Sequence, residues 1–274
     1  MGKYDGWLIV SDMDATLLSD DHTVCERNRE AISRFKANGG KFTVATGRVL
    51  PAVIMYMDAI AINAPAVLHN GAKIYDFEQN KALFSKPIEE ERKPILRRVY
   101  EDMPFLGLEV YTESEKTYVY KHCKETARFK ARGYDVCYTL PDEVWKEPWI
   151  KWLLVGDKEV LDKIEPVYRR KYDRGYCVRS GDKFLDIVAS GVSKGKSVLR
   201  VAELLGISRE RTIAVGDNMN DIDMLKKAGI GIAVENAMDA VKEAADHIVC
   251  SNNDGAIADI VALIDKKLKN FEKN

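Results

Sequence analysis

The sequence predicts an α/β fold in which a doubly wound parallel sheet is interrupted by a second domain of α+β type. Short apolar runs alternate with amphipathic helical segments at both ends of the chain, and a different pattern occupies the middle. Parallel strands need such helical crossovers between them. A chain of 274 residues is long enough for two domains. We therefore predict a Rossmann-like core formed by residues 1–85 and 184–274, with an inserted domain at 86–183.

The first part of the core shows this alternation clearly. Trp7–Ser11 is a short apolar run, typical of a buried parallel strand. The apolar residues of the next segment fall near helical spacing up to Gly39-Gly40, a pair typical of a helix end. The other elements predicted here are strands at 41–45 and 66–68, a helix at 50–62, and a hairpin with strands at 73–76 and 82–85 that follows the Asn70-Gly71 turn signal.

The insert combines strand-like runs with charged helical segments. Its predicted strands lie at 106–112, 117–120 and 150–155, and its predicted helices at 89–101 and 158–171. We expect Trp145, Trp149 and Trp152 to pack in the core of this domain. The βα alternation returns with a strand at 184–188, followed by helices at 193–205, 221–228 and 254–268 and strands at 212–215, 231–234 and 248–249.

Composition argues against several classes of function. Lys and Arg number 42 and Asp and Glu 43, so the net charge of −1 gives no basic surface for nucleic acid or an anionic membrane. The five cysteines contain no CxxC pair, which argues against a disulfide framework and a thiolate zinc site. No apolar stretch reaches the roughly 18 residues of a membrane span. We expect a cytoplasmic protein without nucleic-acid or membrane partners; its oligomeric state is not indicated.

The chemistry is expected at the carboxyl ends of the strands, where ligands bind in sheets of this kind. Polar residues follow three of the predicted strands: Asp12 and Asp14 follow the first strand, Thr46 follows the second, and Asp217 and Asp221 follow the strand at 212–215. Lys194 lies where the chain returns from the insert to the core. Four carboxylates brought together would repel one another unless a cation neutralised them. Oxygen ligands without nearby His or Cys suit Mg²⁺, so we predict a magnesium site.

A phosphate group is the matching substrate, because protein-bound Mg²⁺ commonly shares substrate phosphate oxygens. Lys194 could hold that phosphate as a point charge, while the Thr46 hydroxyl and the backbone N–H groups after Asp12 could donate to its other oxygens. Asp12 could then act as nucleophile and Asp14 as general acid and base. The set predicts covalent phosphoryl transfer.

The segments DMDAT, TGR, SKG and GDNMND, in this order, resemble the four motifs of the haloacid dehalogenase superfamily. The insert between the second and third motifs, the Asn70-Gly71 turn and the segment LDIVASGVSKG resemble the Cof-like phosphatases, which carry a cap domain of type IIB. The resemblance covers the whole chain. It implies an Mg²⁺-dependent phosphatase with an α+β cap, acting on small phosphomonoesters such as sugar or related metabolite phosphates.

The resemblance also implies roles for individual residues. The implied phosphate ligands are Thr46, Gly47, Lys194 and Asn220. The implied metal ligands are Asp12, the backbone carbonyl of Asp14, and Asp217, with Asp221 supporting them. Arg48 and Asn70 are further candidates for a substrate contact. Members of this branch usually have glycine where Ala15 stands.

Other interpretations remain open from the sequence. A DxD pair can form a turn or cap a helix, Arg48 can be a surface charge, and Asn70-Gly71 can be a hairpin turn. At the level of function, a phosphomutase of the same superfamily would pass the phosphoryl group to a sugar hydroxyl. A sensor that binds phosphorylated ligands would not turn them over at all. Release of free phosphate separates the phosphatase from the phosphomutase, and turnover of a generic aryl phosphate tests the sensor.

Overall fold

The computed structural model describes residues 2–129, 135–172 and 177–271. Its strands are β1 (Leu8–Ser11), β2 (Lys41–Val44), β3 (Ala66–Leu68), β4 (Lys73–Asp76), β5 (Lys81–Ser85), β6 (Gly107–Thr112), β7 (Thr117–Lys121), β8 (Val136–Cys137), β9 (Trp149–Val155), β10 (Cys177–Gly181), β11 (Phe184–Val188), β12 (Thr212–Gly216), β13 (Ile230–Val234) and β14 (His247–Val249). Its α-helices are α1 (Glu26–Ala37), α2 (Leu50–Ile54), α3 (Met57–Ile60), α4 (Pro94–Asp102), α5 (Lys158–Lys171), α6 (Lys194–Leu204), α7 (Ile222–Lys227), α8 (Asp239–Ala244) and α9 (Ala256–Phe271). Short 3₁₀ helices lie at His69–Gly71, Glu90–Arg92, Lys124–Ala127, Asp142–Lys146 and Arg209–Arg211.

The chain forms two compact units. Unit 1 consists of Met1–Leu83 and Ser193–Asn274, and unit 2 of Phe84–Val192. Unit 1 contains a parallel sheet with the strand order β14-β13-β12-β1-β2. Because the chain winds from β1 to β2 on one side and from β12 to β14 on the other, the winding direction changes at β1 and β12. The α/β fold predicted from the sequence is confirmed.

The elements of unit 1 are stabilised by apolar burial. Every residue of β1 is buried, as expected for a central parallel strand. The C-terminal helix α9 packs against α1 and buries an apolar stripe at helical spacing. That stripe consists of Ile257, Ile260, Val261 and Ile264. A small antiparallel sheet, β3-β4-β5, follows α3 in the chain, and a parallel bridge joins Val67 of β3 to Ala45.

Unit 2 is an α+β domain. Its sheet has the order β10-β11-β9-β6-β7-β8, with parallel pairing between β7 and β8 and antiparallel pairing between the other neighbours. Trp149 and Trp152 are fully buried in its apolar core, and Trp145 packs against that core from a partly buried position. The packing role predicted for the three tryptophans is therefore confirmed.

Among the predicted elements, one strand and one helix differ in ways that bear on the two units and on the site. The strand predicted to open the second part of the core, β11, instead pairs with β9 and β10 in unit 2. Asp186 of β11 accepts a hydrogen bond from Lys151 of β9 at 2.7 Å, and both side chains are buried, so the ion pair fits β11 only next to β9. The helix predicted at 50–62 is split into α2 and α3, and the break brings the Tyr56 ring to 4.8 Å from the Arg48 guanidinium.

Within the described residues, no helix combines the length and the apolar character needed to cross a lipid bilayer.

Candidate active site

The site of unit 1 lies where the two central strands end side by side. Ser11 at the end of β1 is in register with Val215 of β12, and the N–H of Asp12 donates to the Val215 carbonyl at 2.9 Å. Asp217 follows directly after β12. The change of winding direction in a parallel sheet leaves a crevice at this point, where ligands bind.

Lys194 lies between two carboxylates. It is the first residue of α6, and its fully buried Nζ donates to Asp12 Oδ1 at 2.6 Å and to Asp221 Oδ1 at 2.7 Å. Burial opposes the charge of this ammonium, but the two carboxylates outweigh burial and raise the pKa of Lys194 above its ordinary value. The side chain is therefore a fixed positive charge at the site.

Asp221 folds back onto the loop that precedes it. Its Oδ2 accepts hydrogen bonds from the backbone N–H groups of Asp217 at 3.1 Å and Asn218 at 3.0 Å. A Cβ at position 216 would lie 2.4 Å from the Asp221 carboxyl carbon, so only glycine allows this approach. Gly216 and Asp221 of the GDNMND motif thus shape the loop that presents Asp217.

Three carboxylates form a cluster that can hold a metal ion. Ligand oxygens of Asp12, Asp217 and Asp221 lie within 4.8 Å of one another. Burial, with a contribution from neighbouring carboxylates, raises the pKa of Asp12 well above its ordinary value and that of Asp217 to about 7. Three carboxylates face the single ammonium of Lys194, so a divalent cation would balance the charge. An all-oxygen set suits a hard cation.

Asp14 is held apart from this cluster by Arg48. The guanidinium forms a two-pronged contact, with Nε 2.9 Å from Asp14 Oδ2 and the second nitrogen 2.6 Å from Oδ1. The Asp14 side chain is about half exposed. Its partial desolvation opposes ionisation, but the hydrogen bonds and charge of Arg48 lower its pKa below the ordinary value. Asp14 is therefore an ionised carboxylate, and Arg48 contacts another predicted site residue.

The remaining predicted residues come together beside Thr46. The Thr46 hydroxyl oxygen accepts from the Arg48 N–H at 3.1 Å, and the Thr46 carbonyl accepts from the Asn70 N–H at 3.0 Å. Asn220 Nδ2 donates to Asn70 Oδ1 at 3.0 Å. Gly47 lies next to the Asn70 amide. All residues predicted for the site thus belong to unit 1.

Two residues that contact the site were not predicted from the sequence. The hydroxyl of buried Thr16 donates to Asp217 Oδ1 at 2.8 Å and fixes the orientation of that carboxylate. Asn236 Nδ2 donates to the carbonyl of Ala15 at 2.7 Å and holds the turn Met13–Leu17. The position of Thr16 at the end of DMDAT is the signal that could have revealed its role, whereas Asn236 gives no such signal.

The sequence model of the haloacid dehalogenase-like hydrolases matches residues 9–261. The chain belongs to this family. The resemblance drawn from the four motifs is confirmed, and this haloacid dehalogenase-like hydrolase is a phosphatase.

Two bacterial relatives and one solved structure illustrate the likeness. YxeH of Bacillus subtilis, whose name classes it among the phosphatases, is 32% identical, with coverage of 92% of this chain and 95% of its own. The pyridoxal phosphate phosphatase YbhA of Escherichia coli is 28% identical, with coverage of 93% and 97%. A haloacid dehalogenase-like hydrolase from Bacteroides thetaiotaomicron has a TM-score of 0.80 at 26% identity, with coverage of 94% and 99%.

Proposed function

We propose that this hydrolase is an Mg²⁺-dependent phosphatase that hydrolyses small phosphomonoesters through a phosphorylated Asp12. The observation that carries the proposal is the position of Asp12, whose buried carboxylate contacts Lys194 and lies in the cluster with Asp217 and Asp221. A nucleophile placed between an ammonium and a cation site can approach a phosphate dianion, because the positive charges offset the repulsion between the two anions.

The substrate phosphate is held by four groups in this proposal. They are the Thr46 hydroxyl, the Gly47 backbone, the Lys194 ammonium and Asn220. Mg²⁺ would be held by Asp12, the Asp14 carbonyl and Asp217, with Asp221 supporting them, and when bound it supplies positive charge beside the transferring phosphoryl group. The donors at Thr46 and Lys194 orient phosphorus toward the Asp12 carboxylate.

The reaction has two displacements. An Asp12 oxygen attacks phosphorus, the bond to the leaving oxygen breaks, and a proton carried by Asp14 passes to that oxygen. Asp14 then takes a proton from a water molecule, whose oxygen attacks phosphorus and breaks the bond to Asp12. The Arg48 contact favours ionised Asp14, which suits the second step. For the first step, substrate binding must draw Arg48 away, consistent with a substrate contact for Arg48.

A small phosphorylated metabolite is the proposed substrate class, with sugar and related phosphates first. The support for a small molecule is the relative YbhA, whose name assigns it pyridoxal phosphate. A screen of phosphorylated metabolites with Mg²⁺, scored by release of free phosphate, identifies the substrate. Recovery of a new sugar phosphate in place of free phosphate would instead indicate a phosphomutase, and binding without turnover would indicate a sensor.

The mechanism is tested with variants and with stereochemistry. We expect Asp12→Asn to lower turnover by at least ~1,000-fold and Lys194→Met by at least ~100-fold, while Asp58→Asn at an exposed position of α3 leaves turnover unchanged. A chelator should abolish activity, and added Mg²⁺ should restore it. Two in-line displacements retain the configuration at an isotopically chiral phosphorus. Inversion, or full activity in the chelated enzyme, contradicts the proposal.

A further inference from the structure

The turn His69–Gly71 forms hydrogen bonds with two of the four motif segments of unit 1 and with α6. The N–H of Asn70 donates to the Thr46 carbonyl at 3.0 Å, and Asn70 Oδ1 accepts from Asn220 at 3.0 Å. The Gly71 carbonyl accepts from Ser197 Oγ at 2.7 Å, one helical turn after Lys194. The turn is therefore tied to TGR, to GDNMND and to the helix that begins within SKG.

The backbone of this turn is strained. His69, Asn70 and Gly71 have φ angles of 51°, 55° and 99°, in the left-handed region that residues other than glycine rarely adopt. Asn is one of the residues that tolerates this region best, because its short side chain can hydrogen-bond locally. Strain of this kind persists where the surroundings over-determine the conformation, which is common at functional sites.

The side chain of Asn70 has an unmatched donor. Only 1% of the residue is exposed, and among the described residues no group accepts a hydrogen bond from its Nδ2. The Oδ1 of its partner Asn220 is unmatched in the same way. In this arrangement the unmatched N–H belongs to Asn70; exchanging oxygen and nitrogen in both amides would move the unmatched N–H to Asn220 and the unmatched oxygen to Asn70. A buried unmatched donor is costly, so an acceptor from outside the chain is expected.

The unmatched donor lies beside the segment that we assign to the substrate phosphate. A Cβ at position 47 would be 3.1 Å from Asn70 Nδ2, so the amide packs directly against Gly47. Thr46 and Asn220 are each joined to Asn70 by a hydrogen bond of 3.0 Å. An anion that contacts both of those residues is within reach of the Asn70 amide.

We propose that Asn70 is a further substrate-binding residue, whose side-chain N–H donates to an oxygen of the substrate phosphate. This inference rests on the proposed function. A phosphate dianion offers only acceptors, and hydrogen bonds to a charged group are stronger than those between neutral groups. Bound substrate thereby satisfies the donor that the free enzyme leaves unmatched.

The test uses Asn70→Asp, with inorganic phosphate as the probe. Asp tolerates the left-handed conformation and still accepts from Asn220, but it replaces the N–H donor by an anionic oxygen. We expect the inhibition constant of phosphate, measured against hydrolysis of p-nitrophenyl phosphate with Mg²⁺, to rise by at least ~10-fold. Asn70→Gly, which keeps the backbone and removes the side chain, should weaken phosphate inhibition in the same direction.

Asn80 provides a matched control. It is exposed, has a φ of 50° and lies in the turn between β4 and β5, so Asn80→Asp adds the same charge at the same kind of backbone position. We expect phosphate inhibition of Asn80→Asp to equal that of the wild type. Wild-type inhibition in Asn70→Asp would overturn the inference, even if Asn70→Gly were impaired. A wild-type enzyme that hydrolyses p-nitrophenyl phosphate but is not inhibited by phosphate would also overturn the inference, whereas a wild-type enzyme that hydrolyses no phosphomonoester would overturn the proposed function.

Discussion

Ala15 occupies a backbone conformation that its side chain disfavours. It has a φ of 54°, and the Asn236 contact to its carbonyl helps to hold it there. A left-handed residue with a Cβ costs about 1–2 kcal/mol, against about 0.4–1 kcal/mol for the greater freedom of glycine in the unfolded chain. We expect Ala15→Gly to raise the free energy of unfolding by about 0.5–1 kcal/mol in a denaturant titration.

Two other alanines provide control substitutions for the stability of Ala15→Gly. Ala61 also has a positive φ, 46°, and Ala61→Gly should change stability in the same direction. Ala262 is exposed within α9, so Ala262→Gly should lower the free energy of unfolding by about 1 kcal/mol. A loss of stability in Ala15→Gly similar to that in Ala262→Gly would contradict the strain argument.

Thr16 orients a carboxylate that we assign to the metal. Removal of a group that hydrogen-bonds to a metal ligand typically weakens metal binding by about 10–100-fold. We therefore expect Thr16→Val, which keeps the shape and removes the hydroxyl, to raise the Mg²⁺ concentration for half-maximal activity by at least ~10-fold. Thr16→Ser should restore the wild-type value. An unchanged metal requirement in Thr16→Val would show that Asp217 needs no support from this hydroxyl.

The sequence predicts the members of the site better than their contacts. Asp12 and Asp217 were identifiable because each follows an apolar strand, and parallel strands end at the same edge of a sheet. The pairing of Arg48 with Asp14 and of Thr16 with Asp217 joins residues 34 and 201 positions apart. Such pairings depend on loop conformations that no local pattern encodes.

At the scale of elements, Glu89 joins the chain segments that enter and leave unit 2. Its Oε1 accepts from the Ser190 N–H at 2.9 Å, and its Oε2 accepts from Arg92, which also donates to the Val188 carbonyl at 2.8 Å. Burial opposes ionisation of Glu89, but the hydrogen bonds from Arg92 and from backbone N–H groups outweigh it and lower its pKa to about 2. The carboxylate therefore stabilises the folded state only while it is ionised.

The sign of this contribution follows from the direction of the pKa change. A carboxylate whose pKa falls on folding stabilises the protein above its unfolded pKa of 4.5, and this stabilisation disappears as the pH drops toward 2. The contribution is at most about 3 kcal/mol and smaller after solvent screening. We expect Glu89→Gln to lower stability at pH 7 and to flatten its fall between pH 4.5 and 2, measured by denaturant titrations.

Glu91 is the matched control for this experiment. It lies two residues from Glu89, in the 3₁₀ helix Glu90–Arg92, and it is exposed. Substitutions at exposed positions usually change stability by less than about 0.5 kcal/mol, so Glu91→Gln should leave both the stability and its pH profile nearly unchanged. Equal effects of the two substitutions would show that the contacts to Ser190 and Arg92 add nothing.

Whether a segment forms a helix or a strand was easier to predict than which strands lie next to each other in a sheet. The helix predicted at 158–171 coincides with α5, because its apolar residues recur at helical spacing. Strand β11 was assigned to the wrong unit, since a strand with apolar neighbours on both sides looks the same in any buried sheet. In the structure its ladders with β9 and β10, and the buried ion pair of Asp186 with Lys151, place this strand in unit 2.

At the scale of the whole molecule, the carboxylate cluster favours the binding of a divalent cation but lowers the stability of the fold when no cation is bound. Asp12, Asp217 and Asp221 are held together although like charges repel one another. Without divalent cation, we expect Asp217→Asn to raise the free energy of unfolding by on the order of 1 kcal/mol, because one of these charges is removed. Mg²⁺ at about 100 times its Kd should stabilise the wild type by about 2.7 kcal/mol and the variant far less.

Thermal unfolding with and without Mg²⁺ measures both effects. Asp58→Asn removes a carboxylate outside the cluster and should alter neither value. Two results would contradict this account of the cluster. One is an Asp217→Asn variant that is less stable than the wild type in chelator, and the other is a variant that Mg²⁺ stabilises as much as it stabilises the wild type.

The insertion of unit 2 also has a consequence for biosynthesis. Strand β1 lies between β2 and β12, and these two neighbours come from opposite sides of the insertion. A ribosome must therefore translate all of unit 2 before it translates β12. During this time the edge of β1 that pairs with β12 has no partner strand, while unit 2, which is continuous in sequence, can already fold. An open strand edge is prone to pair with other chains. Translation speed across residues 84–192 thus sets how long the nascent chain is exposed to aggregation.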